Sequence, residues 1–301
     1  MGQGWILDGG DWRSFQSGGR HDLRAAAWQP GGERALVAGN HGTLAFVGRE
    51  VRTLDPPTRE SLRGIAWRPD GGMAIAVGNA GAIVVVEETA RATPLLTPVN
   101  LRRAAWHPDG TRCLIVGNDG LALLWSGGRT RAIGWGRAHL RDVAWRPDGT
   151  EALIAGNGAL YRFREGDDDL AVIADLPDGD FAGVAWHPDG ETFLAVGYRQ
   201  RSTALADRET VAWLGPALEP AFPPLVGHAF VQAVARPRSA EIWIVQQPVY
   251  ARTESCLLRW SGGRPEIVFR QAETRLAQLS FDRSGERAVA VGSPRADFWR
   301  S

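Results

Sequence analysis

One tryptophan-ended segment recurs along this chain, and it leaves little freedom in the fold. The tetrads Ala27-Trp28-Gln29-Pro30, Ala66-Trp67-Arg68-Pro69, Ala105-Trp106-His107-Pro108, Ala144-Trp145-Arg146-Pro147 and Ala185-Trp186-His187-Pro188 are near copies. A sixth copy is degenerate, Val231 to Ala235 followed by Arg236 and Pro237, and a seventh runs from Leu276 to Phe281. The tryptophans fall 39 residues apart three times and then 41, and the last two intervals, to Ala235 and Phe281, are 49 and 46. A period near 40 is that of a four-stranded propeller blade.

Each unit divides into strands a to d. Strand a ends at the tryptophan, and Pro-Asp-Gly turns the chain, proline presetting φ and glycine accepting a positive one. Strand b is short and apolar, as in Cys113 to Val116. Asn40, Asn79 and Asn118, each between glycines, mark the b–c hairpins, where a tight turn needs positive φ. Alternation along strand a sets a large face carrying Trp145 against a small face carrying Ala144, so that successive blades interdigitate. The repeated tryptophans therefore read as core. The chain is expected to be all-β, one domain over residues 1–301, a seven-bladed β-propeller of four-stranded antiparallel blades. Closure is expected from the N-terminal strand pairing with the last blade, with residues 4–8 and 296–300 both open as its third strand.

The Ala-Trp-x-Pro-Asp-Gly unit, with a later strand ending Leu123-Leu124-Trp125-Ser126, resembles the WD-repeat superfamily over nearly the whole chain. The resemblance implies a propeller that presents a face to other proteins. Trp-Asp never closes strand c, however, and the Gly-His that precedes strand a in that family survives only as Gly227-His228. A weaker likeness, carried by Val77 to Gly81 and by Ile6 to Trp12, is to sialidase-type repeats and photosystem II assembly-factor propellers. Fold-level likeness does not carry function.

Composition excludes several classes of chemistry. All 34 basic residues are arginine, which fits the codon bias of a GC-rich bacterial genome, and 34 acidic residues balance them, so no nucleic-acid partner is expected. Without lysine there is neither a Schiff base nor a P-loop. The sequence lacks Gly-x-Ser-x-Gly, His-Glu-x-x-His and an EF-hand loop, so no enzyme, metal or cofactor is expected. The two cysteines, Cys113 and Cys256, read as free, buried thiols. His107 and His187 sit before Pro-Asp-Gly as turn residues, and Asp167 to Asp169 read as a solvated hairpin tip. No apolar run reaches membrane-spanning length and residues 1–10 carry no secretory signal pattern, which points to a cytoplasmic monomer without a membrane partner.

Residues that break the repeat are the candidates for function. Repeats one to four carry Arg24, Arg63, Arg102 and Arg141 at the start of strand a, near Asn40, Asn79, Asn118 and Asn157, whereas later repeats have Ala182 and Ala277. These arginines either form a basic arc on the top rim or lie on neighbouring tryptophans and pair with acids such as Asp142. The connections lengthen at 198–202, 216–228 and 247–255, where Arg201, Phe222, Tyr250 and Arg252 are residue types enriched at binding hot spots. The expected function is a non-catalytic scaffold binding a protein partner on that face. A small-ligand or glycan-binding propeller is the alternative.

Overall fold

The computed structural model describes residues 2–93, 97–202, 207–249 and 254–294. Its described residues form a β-propeller of antiparallel sheets. Repeat one contributes Leu23–Trp28, Ala35–Gly39, Leu44–Val47 and Val51–Thr53 from the axis outward. Repeats two, three and six follow the same order, with inner strands Leu62–Trp67, Leu101–Trp106 and His228–Ala235.

The expected seven separate blades are corrected to six sheets, five of four strands and one of six. The large sheet holds repeats four and five. Where earlier repeats turn through Gly-Asn-x-Gly, repeat four has only Gly156-Asn157-Gly158, and its second and third strands run on as Glu151–Arg164. The outer strand of repeat four likewise runs into the inner strand of repeat five as Ala171–Trp186. Pairing of Asn157 with Asp180 then stitches the two repeats together.

The N-terminus closes the ring with two strands rather than one. Gln3–Asp8 pairs with Ala288–Pro294, and Asp11–Gln16 pairs outside it. Residues 3–8 thus take the third-strand position; residues 296–300 lie outside the described residues. Closure of this kind leaves no sheet edge at the seam.

Seven hydrophobic clusters, each shared between consecutive repeats, make the core. The repeated tryptophans are buried, and three of them also tie the repeats together. The indole N–H of Trp67, Trp106 and Trp145 donates to the carbonyl of Ala27, Ala66 and Ala105 in the preceding repeat, at 3.0–3.1 Å. The inner strands approach so closely that a Cβ on Gly183 would lie 2.6 Å from Cα of Gln232. A cavity of about 440 Å³ lies between the inner strands, lined by small and branched residues, Trp145, Trp186 and turn prolines, together with Arg103, Asp142, Gln232 and Gln278.

Candidate functional site

The arginine arc is built by a backbone irregularity that recurs in every repeat. Pairing between strands a and b slips once in every repeat, at Leu23/Ala25, Leu62/Gly64, Leu101/Arg103, Leu140/Asp142, Phe181/Gly183, Phe230/Gln232 and Leu276/Gln278. A bulge leaves one residue unpaired and re-aims its side chain. The skipped residues are Arg24, Arg63, Arg102 and Arg141, then Ala182, Val231 and Ala277.

Each bulged arginine is held by the asparagine 16 positions on. Nε of Arg24, Arg63, Arg102 and Arg141 donates to Oδ1 of Asn40, Asn79, Asn118 and Asn157 at 3.2, 3.2, 2.9 and 2.8 Å. The asparagines are themselves fixed, since their backbone N–H groups donate to the carbonyls of Asp22, Ser61, Asn100 and His139, just before each inner strand. This clamp spends one donor, the Nε–H, per guanidinium.

Charge around the arc is unbalanced. Arg24 has Asp22 at 3.5 Å. Among the described residues, Arg63, Arg102 and Arg141 have no carboxylate within ion-pair distance. Burial lowers the Arg63 pKa, and the charges of Arg24 and Arg103 lower it further. Arg102 is lowered to about 10 by burial, with Arg141, Arg63 and Arg103 adding repulsion. Asp142, considered above as a partner for the arc, is taken instead by Arg103. The Arg103 Nε lies 3.8 Å from Asp142 Oδ1, and its Nη1 donates to the Arg63 and Arg102 carbonyls at 2.6 and 3.1 Å. Burial raises the Asp142 carboxyl to about 6 against the opposing pull of Arg103.

The arc ends at repeat five. There the Tyr198 hydroxyl donates to Asp180 at 2.5 Å, and the guanidinium of Arg208 stacks 4.1 Å from the Tyr198 ring centre. Burial, followed by the Asp180 carboxylate, pushes the Tyr198 pKa up to about 12.

The residues of the lengthened connections are not brought together in the same way. Arg201 is half exposed and paired with Glu209 at 2.6 Å. Phe222, expected as an exposed anchor, is only 8% exposed and packs against Phe230 and Trp260. The segment around it is not a free connection on the top rim. Residues 219–227 run back beside Arg208–Gly215, with Trp213 opposite Pro220 and the Thr210 N–H donating to the Leu225 carbonyl. Prolines without N–H groups allow only Glu219–Pro220 to form a regular strand. Tyr250 and Arg252 lie outside the described residues.

On the opposite rim, four of the residues before a turn proline do more than the sequence suggested. Side-chain donors of Gln29, Arg146 and Arg236 reach the glycine carbonyl of the next repeat's turn, at Gly71, Gly190 and Gly285, each at 2.7 Å. His107 Nε2 pairs with the Gly149 carbonyl at 3.0 Å in the same way. Every one of these positions carries a long or ring-borne N–H donor, a signal the sequence already held. Asp167 and Asp169 accept local backbone N–H bonds in the hairpin. Cys113 and Cys256 are free and buried.

No protein-family model matches the chain and no curated protein matches it. The likeness to WD repeats rests on the repeat pattern alone. His228, the single family-like Gly-His, pairs with Gln246 at 2.8 Å.

Proposed function

We propose that this chain is a non-catalytic interaction propeller whose channel mouth takes hold of an acidic segment of a protein partner. One observation carries the reading: clamped guanidinium groups stand at four consecutive bulges, and three of them have no carboxylate partner among the described residues. Holding like charges together costs folding energy that an anionic partner offsets, and preorganised Nη donors bind carboxylates in paired geometry. Repeats five to seven place small or apolar residues at the same bulge, leaving room for a partner's backbone on that side. In this reading the six-stranded sheet is two blades joined along one edge, giving seven units around the axis, in keeping with the seven interlayer clusters. Arg201, which pairs with Glu209, widens the contact. The protein acts as a cytoplasmic monomer; among the described residues, no helix is long and apolar enough to cross a membrane.

Titration with a glutamate-rich peptide tests the reading. Binding should weaken steeply as salt rises. The quadruple variant Arg24→Gln, Arg63→Gln, Arg102→Gln, Arg141→Gln should lose at least about tenfold in affinity, with most of the salt dependence gone. Equal binding by a folded quadruple variant defeats the proposal.

A further inference from the structure

A second site, independent of the channel mouth, lies between repeats five and six. It exists because the outer edge of repeat five is incomplete. The regular outer strand there is two residues, Glu219–Pro220, where repeats three, six and seven have six. The chain continues through Pro223 and Pro224, which cannot extend a ladder. The facing strands Ser255–Trp260 and Glu266–Gln271 are therefore left partly uncovered, and a cavity of about 1030 Å³ remains. That is the scale of a small-molecule site.

Phe222, Leu225, Leu258 and Ile267 form an apolar part of its wall, and Glu254, Arg264 and Arg270 also line it, Arg270 pairing with Glu254 at 3.2 Å. At 4% exposure, Gln246 is the most deeply buried amide lining it. The Gln246 Nε2 is spent on Nδ1 of His228 at 2.8 Å, but its Oε1 is buried with no hydrogen-bond partner. Such an orphaned acceptor is costly to bury unless something donates to it. Burial lowers the His228 pKa, which keeps the ring beside Gln246 neutral. The buried thiol of Cys256 also lines the cavity and serves as a reporter.

We propose that this cavity binds a small, flat apolar molecule that donates one hydrogen bond, from a hydroxyl or N–H, to Gln246 Oε1. The apolar part of the wall supplies affinity through buried area, and the Gln246 acceptor sets orientation.

Calorimetry with 1-naphthol, naphthalene and 1-methoxynaphthalene tests this on the full chain. The three share the same rings, and 1-naphthol alone carries a donor. It should bind about tenfold more tightly than the other two, the worth of one satisfied buried acceptor. Gln246→Leu should bring the three affinities together. Ile267→Trp, at a half-exposed rim position that leaves the fold intact, should weaken all three. Saturating 1-naphthol should slow alkylation of Cys256 by iodoacetamide at least about fivefold. Three results would each overturn the proposal: no binding of any probe, equal affinities in the unmodified protein, or a 1-naphthol preference that survives Gln246→Leu. Binding unaffected by Ile267→Trp together with unchanged Cys256 alkylation would place the molecule elsewhere and overturn it too.

Discussion

The two rims of this propeller treat their arginines in opposite ways. On the turn rim, Arg68 meets Asp70 at 2.8 Å, Arg112 meets Asp109 at 3.0 Å, and Arg146 lies 3.3 Å from Asp148 while donating to the next repeat. Charge is neutralised within a few residues, and leftover donors fasten repeat to repeat. On the channel-mouth rim, four arginines are gripped by amides, and burial and mutual repulsion lower Arg102 to about 10. A rim that exists to close the ring satisfies its polar groups internally. A rim that keeps positive charges together is the feature on which the proposed acidic partner rests.

The largest expected effect tests whether either rim survives without closure. Deleting residues 2–16 removes two strands of the seam sheet and exposes the edge of Ala288–Pro294. Thermal unfolding should lose its cooperativity, or the protein should aggregate. An unchanged melting curve would show that the ring does not depend on its N-terminus.

Between the rims, the tryptophan layer should count for more than either. Trp106→Ala removes a buried ring and its bond to the Ala66 carbonyl, and should cost about 3–5 kcal/mol in urea unfolding. A loss below about 1 kcal/mol would mean the layers pack independently of their indoles.

Next comes the buried channel pair. The folded Asp142 pKa of about 6 lies above the unfolded value of about 3.9. The native state therefore binds the proton more tightly. Its stabilising contribution is present at pH below about 4 and is lost as the pH rises to about 6, on the order of 3 kcal/mol. Comparing wild type with the double variant Arg103→Met, Asp142→Asn across that window isolates the effect. Wild type losing ground relative to the variant on acidification would reverse the sign and show that attraction to Arg103 outweighs the burial of the carboxylate.

The smallest effects contrast the rims directly. Arg146→Ala takes away the bond to the Gly190 carbonyl and should lower stability by about 1 kcal/mol. Arg102→Gln relieves repulsion and should leave the melting temperature unchanged or raised. If Arg102→Gln is the more destabilising of the two, the arc is a structural device and the comparison fails.

The spacing of Trp28, Trp67, Trp106 and Trp145 was enough to read strands, turns and the propeller, because burying one face of a short sheet requires a neighbour of the same kind. The free thiols Cys113 and Cys256 and the set-apart arginines were legible on the same ground: each either fits or breaks a local period. What the period could not show was where two repeats fuse. That turns on one missing residue at Gly156-Asn157-Gly158 and on an extended connection that pairs across to Tyr198 and Arg199. Nor could it show that the 216–228 segment folds back against Arg208–Gly215 and buries Phe222. Residue type alone does not say on which side of a strand a proline-rich chain will run. The repeat, its core residues and the half of the ring that carries arginine were set by the order of amino acids, because they follow from alternation and turn chemistry over a few residues. Which groups the arginines meet, which acceptor stays orphaned and where a cavity opens were settled in three dimensions. Those depend on distances between repeats some 40 residues apart, set by how the ring closes.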